Sequence, residues 1–262
     1  MGHVRSTSAS EEAADITAYV TLACAVTWIL ALPAAMAWMR HQTPPPYAVA
    51  AAGLSAFGPL LAALGVAGPR RQLREVFGRW RTNPIWILVG VLAVPLIHLI
   101  ATALYAALGG RPAQWFHPPA TPEAIAALVV FPLGEEFGWR GFAHPRLVRR
   151  FGPVRGCLVL GAVWAIWHAA YAITPQAAGF DAFGFVQLLI QLPLYTLIIG
   201  WVFERANRSM AVALALHAGA HVDHIEWAPR ADLRLHVLHI VVVAAFAAAA
   251  AVSLSRRRPL PR

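Results

Sequence analysis

Three apolar stretches of the chain hold side chains that can do chemistry in a place where charge is costly. The first reads Gly134-Glu135-Glu136-Phe137-Gly138-Trp139-Arg140, the second Trp164-Ala165-Ile166-Trp167-His168, and the third His217-Ala218-Gly219-Ala220-His221. A charge at a bilayer centre costs roughly 2.5–3.5 kcal/mol on insertion scales, so such residues are rare and face the protein interior. Glu136 and Arg140 stand four apart, on one helix face, and can pair. Glu135 is turned about 100° from that face, which leaves a carboxylate for acid–base work. A bland alternative for the same residues is an ion-pair cluster that pins helix packing.

His217 and His221 are also four apart and point the same way. Two histidines at that spacing are how a helix holds zinc, with a glutamate after the first histidine in zinc-protease helices. Ala218 stands at that position here, so the carboxylate must come from the helix of Glu135. At a rise of about 1.5 Å per residue, Glu135, His168, His217 and His221 fall about 16, 18, 12 and 18 Å from the cytoplasmic ends of their helices, one layer near the midplane. The set offers two or three nitrogens and one oxygen to a zinc ion, or the same groups can act on water without metal. The residue types leave both open.

The frame that positions these residues is legible in the composition. The 262 residues are 59% hydrophobic and 13% charged, against about 25% charged for a soluble domain. Eight apolar runs of spanning length or near it occupy 16–39, 47–67, 85–108, 122–146, 156–173, 182–203, 209–225 and 235–254. The expected fold is all-α, a polytopic membrane protein of about eight transmembrane helices. Most joints carry Pro or Gly, as in Asn83-Pro84, Thr121-Pro122 and Gly152-Pro153. The first run is longer than a signal-peptide core and follows Glu11, Glu12 and Asp15, so a retained helix is expected.

The net charge of +9 comes from 21 basic residues, all arginine, lying in short stretches between apolar runs. That placement fits a membrane surface and argues against nucleic acid. Arginines crowd the second, fourth and sixth loops and the C-terminal tail, which predicts cytoplasmic termini in a cell inner membrane. Leu73, Val76, Phe77 and Trp80 predict a surface amphipathic helix within 69–82. The chain divides into a tail, 1–15; helices over 16–121; a core over 122–225; and a last helix with its basic tail over 235–262. Cys24 and Cys157 are too few for a disulfide framework and read as packed hydrophobes.

Other polar residues carry weaker readings. His98, alone in its helix, reads as a hydrogen-bonded packing residue, and His236 and His239 read as interfacial. His117 and His144 fall in or near loops. Asp223, His224 and Glu226 read as a solvated rim.

Taken in order, Glu135-Glu136-x-x-x-Arg140, Trp164-x-x-x-His168 and His217-x-x-x-His221 resemble the CPBP family, the intramembrane CAAX proteases and bacteriocin-processing enzymes also called Abi proteins. The resemblance covers about 122–225. It departs at Trp164, where phenylalanine is usual, and at His221, where asparagine or aspartate is typical. It implies an eight-helix fold with a conical cavity open to the cytoplasm and the membrane. It further implies that Glu135 and His168 activate a water, that His217 and the residue four on stabilise the oxyanion, and that Glu136 and Arg140 support them. The implied substrates are lipidated or membrane-anchored peptides. Competing functions are a proton- or ion-coupled transporter using the same buried charges, and a catalytically silent scaffold or immunity factor, which the change at His221 keeps open. The substrate and the oligomeric state are not written in the sequence.

Overall fold

The computed structural model describes residues 9–68, 79–116, 118–172, 182–222 and 233–256. Among the described residues, eleven α-helical segments make up eight passages: α1 Ala9–Met39; α2 Pro46–Leu54 and α3 Gly58–Ala67; α4 Pro84–Ala107; α5 Pro122–Gly138 and α6 His144–Phe151; α7 Pro153–Trp167 and α8 Ala169–Ala172; α9 Ala182–Arg205; α10 Met210–Ala220; and α11 Leu233–Ser255. No strand occurs among the described residues. Six passages are long and apolar enough to cross a membrane, and the chain is a multi-pass membrane protein of all-α class. The passages that carry Glu135 and His217 are not among those six. Their apolar helices have only 17 and 11 residues.

Prolines start these helices for a physical reason. The first-turn N–H groups have no partner inside a helix, so the imino acid loses nothing there. Pro46, Pro84, Pro122 and Pro153 all sit at that place. The Asn83 side chain accepts from the Ile85 amide at 3.0 Å, and Thr121 Oγ1 accepts from the Ala124 amide at 3.2 Å, which satisfies donors that the helices leave open.

The passages close into a ring in the order α1, α3, α5, α10, α4, α11, α9, α7, with α8 leaning back on α1. Glycines let two of these joints form. A Cβ on Gly134 would lie 2.6 Å from the Ala56 carbonyl oxygen, and one on Gly219 would lie 2.5 Å from the Val91 carbonyl oxygen. The two helices that carry the carboxylates and the paired histidines therefore pack almost backbone to backbone on their neighbours.

Three helix expectations are corrected. The run 122–146 is broken by a π turn over Trp139–Ala143, a feature that often marks a functional site. The run 156–173 spans as expected but is broken at one residue, His168, which forms the turn between α7 and α8. The run 209–225 ends at Ala220, with His221 as its cap. Most of the amphipathic segment 69–82 lies outside the described residues, as do His117, Asp223, His224 and Glu226.

His236 and His239 are not interfacial. They are buried, and they join a polar seam between α4, α9 and α11. Gln191 Nε2 lies 3.1 Å from His239 Nδ1, and Tyr195 Oη lies 2.9 Å from both His239 Nε2 and His98 Nε2. Gln187 Nε2 meets His236 Nδ1 at 3.3 Å. Gln187, Gln191 and Tyr195 are successive i, i+4 positions of α9, so one stripe meets both neighbouring helices. Burial of polar groups is tolerated because they satisfy one another. A Tyr195→Phe change is expected to destabilise the fold by about 1–3 kcal/mol, because two imidazole nitrogens lose their shared partner. Unfolding in detergent measures this, and a change near zero would mean that the seam rearranges freely.

Candidate active site

The site is built around two adjacent glutamates at the end of α5. Residues 135 and 136 cannot face the same neighbour, and the structure sends them in different directions. Glu136 Oε1 accepts from Arg140 Nη1 at 2.8 Å, the expected pair, and the same oxygen lies 2.7 Å from His217 Nδ1 on α10. Both ends of the Arg140–Glu136 pair are 1% exposed. Glu136 is thus more than half of a structural ion pair, because it also fixes the rotation of the His217 ring. A carboxylate held by Arg140 is an acceptor, so Nδ1 of His217 carries the proton it donates.

Glu135 Oε2 accepts from the Trp164 indole N–H at 2.8 Å. Its other oxygen, Oε1, lies 3.9 Å from His217 Nε2. Glu135 and His217 are buried side chains from α5 and α10, which are neighbours in the ring of passages.

His217 Nε2 also lies 3.1 Å from His221 Nε2, and the two rings stack with centroids 5.1 Å apart. One of these nitrogens must donate and the other accept. Either His221 N–H donates to a neutral His217, or a protonated His217 donates to His221. The pair therefore holds one transferable proton beside Glu135.

His168 is partly exposed and caps α7. Its Nδ1 donates to the Trp164 carbonyl oxygen at 2.8 Å, so Nε2 is the basic nitrogen of that ring. Trp164 is the shared neighbour of the whole constellation. Its ring centroid lies 5.9 Å from His168 and 5.6 Å from His217, and the Arg140 guanidinium carbon sits 4.6 Å over its ring.

Several supporting residues were not singled out by sequence reasoning. Trp28 Nε1 donates to the Trp167 carbonyl at 3.0 Å, and Trp167 Nε1 donates to Thr27 Oγ1 at 2.7 Å. Thr27 in turn donates to the Ser55 carbonyl at 2.8 Å, and Ser55 Oγ meets Tyr171 Oη at 2.7 Å. This belt ties the break at 55–57 and helix α1 to the turn that bears His168. Tyr19 anchors the π turn, with its ring 5.6 Å from Trp139 and 4.8 Å from Phe142. The one usable signal was Tyr171, three positions after His168 and so on the same helical side. Thr27 and Ser55 are small polar residues among many, and nothing in their spacing marks them.

The donor set does not make a zinc shell as it stands. Among the described residues no three His, Cys, Asp or Glu side chains converge as metal ligands. Nδ1 of His217 donates to Glu136 and Nδ1 of His168 to a carbonyl, so Nε2 of each ring is the atom left for a metal or a water.

Residues 117–222 match the family described as Type II CAAX prenyl endopeptidase Rce1-like. A protein named CAAX prenyl protease 2 from Methanococcus maripaludis is 24% identical over 158 residues, which are 55% of this chain and 58% of that protein. The chain thus spans less than two thirds of the length of the curated relative it matches. The family match takes in Glu135, His168, His217 and His221.

Proposed function

We infer that this CPBP-family chain is an intramembrane endopeptidase that hydrolyses a peptide bond in a lipidated or membrane-anchored substrate. Glu135 is its general base. The carboxylate takes a proton from a water whose oxygen bonds to the peptide carbonyl carbon. His168 Nε2 orients that water. The resulting oxyanion is met by the one N–H that the His217–His221 pair holds at its Nε2 atoms, a role that a histidine side chain can fill. The carbon–nitrogen bond then breaks, and the proton on Glu135 passes to the leaving amine. Glu136 and Arg140 hold His217 in place and take no part in the bond changes.

The observation that carries this reading is the placement of Glu135. One of its oxygens is tied to Trp164, and the other lies 3.9 Å from His217 Nε2 inside a buried site. A carboxylate placed only for packing would be closed off by an arginine, and here the arginine is spent on Glu136 instead. Alternation of arginines along the loops supports a cell inner membrane with the termini cytoplasmic.

A fluorogenic peptide bearing a lipid anchor, incubated with the purified protein, tests the proposal. The His168→Ala variant is expected to lose about 100-fold or more in kcat, the ordinary contribution of a group that handles a proton or orients water. Cleavage that survives both His168→Ala and Glu135→Gln would eliminate the assignment. Proton-coupled flux in liposomes with no peptide cleavage would favour a transporter instead. The steps above are written without zinc. Metal analysis of the purified protein reads this directly, since stoichiometric zinc whose removal by a chelator stops cleavage would overturn the metal-free step.

A further inference from the structure

Trp164 meets Glu135, His168 and Arg140 through three different parts of its structure. Its indole N–H reaches Glu135 Oε2 at 2.8 Å, and its main-chain carbonyl accepts from His168 Nδ1 at 2.8 Å. Its ring lies under the Arg140 guanidinium at 4.6 Å, a cation–π contact. Its side chain is 5% exposed, so water does not compete for the indole proton. A hydrogen bond to a carboxylate in such a place is stronger than one between neutral groups.

We propose that Trp164 is a positioning residue for peptide hydrolysis: it fixes the Glu135 carboxylate through the indole N–H and the tautomer of His168 through the carbonyl, so base and imidazole are aimed by one residue. The proposal rests on the hydrolytic reading above. A carboxylate can turn about its last torsion, and that torsion is broad and soft. Anchoring Oε2 removes this freedom and leaves Oε1 as the oxygen that faces His217 and the reacting water. The anchor also comes from α7, whereas Glu135 belongs to α5, so it sets the distance between the two helices that carry base and imidazole.

A role through the N–H differs from a role through ring packing, and the two can be separated. Trp164→Phe keeps an aromatic ring and removes the donor. Replacement of Trp164 by benzothienylalanine keeps the bicyclic shape and exchanges only the N–H for sulfur, which guards against loss of packing. Both are expected to lower kcat roughly 10- to 100-fold, the range of one charge-assisted hydrogen bond, with KM changed less than about threefold. Because Trp164 acts through Glu135, the Trp164→Phe change is expected to cost nothing further in a Glu135→Gln background.

The assay is cleavage of the lipidated fluorogenic peptide by the full chain, with thermal unfolding measured alongside. Wild-type kcat in the benzothienylalanine protein would overturn the proposal even if Trp164→Phe fails to fold. A rise in KM with kcat unchanged would do the same, since it would place Trp164 in substrate binding. The outcome for Glu135→Gln separates the two layers. An active Glu135→Gln enzyme removes Glu135 as the base, and with it the reading on which this proposal rests. An inactive one beside a fully active benzothienylalanine protein removes only the role of Trp164.

Discussion

Exchange of Glu135 for glutamine is expected to lower kcat for peptide cleavage by about 10²–10⁴-fold, the span attributed to a general base, while the protein folds as before. Glutamine keeps the size of the side chain, and its carbonyl oxygen can still accept from the Trp164 indole at the place where Oε2 now does. It cannot take a proton from water. The loss therefore isolates proton transfer from packing, and KM for the peptide is expected to move little, because Glu135 reaches the water and not the substrate chain. Burial makes the contrast sharp. Glu135 is 5% exposed, so bulk water supplies no substitute base from the protein side. Single-turnover cleavage is the cleaner measurement, since it excludes slow product release. A Glu135→Gln protein that cleaves within tenfold of the wild type would sink the assignment of the base. Glu136 is the poorer base of the two, because its charge is paired with the Arg140 guanidinium.

The second large effect falls on stability. Removing Arg140, as in Arg140→Ala, is expected to cost about 3–5 kcal/mol, the usual result of breaking one side of a buried ion pair. Both partners are 1% exposed, so Glu136 would be left with a negative charge that neither water nor another arginine reaches. The Trp164 ring would lose its cation as well. The double change Glu136→Gln with Arg140→Ala is expected to recover much of that stability, since no isolated charge remains. It is not expected to restore cleavage, because His217 would lose the carboxylate that orients it. Denaturant or thermal unfolding in detergent, read as a double-mutant cycle with activity measured in parallel, checks both statements. A single-variant loss under about 1 kcal/mol would show that the pair is already screened. Full activity in the double variant would show that His217 needs no orientation from Glu136.

Amino-acid order alone determined the class of the fold and the chemical inventory. Long apolar runs separated by proline and arginine dictate helices that cross a membrane, because backbone polar groups in lipid must pair within their own segment. Charges inside those runs select themselves as candidates, since their cost is paid only for a purpose. The i, i+4 relation of Glu136 and Arg140 was readable because helix geometry is local. The tertiary structure alone decided who meets whom. Nothing local states that His217 gives Nδ1 to Glu136 and faces Glu135 with Nε2, that Trp164 supplies a hydrogen bond to Glu135, or that His98, Tyr195 and His239 form a seam. Those contacts join residues 29 to 97 positions apart, and they depend on which helices are neighbours in the ring. The helix ends at His168 and His221 were misread for the same reason. Ala169, Ala170 and Tyr171 follow His168 with no proline or glycine, so the sequence carries no stop signal at that break.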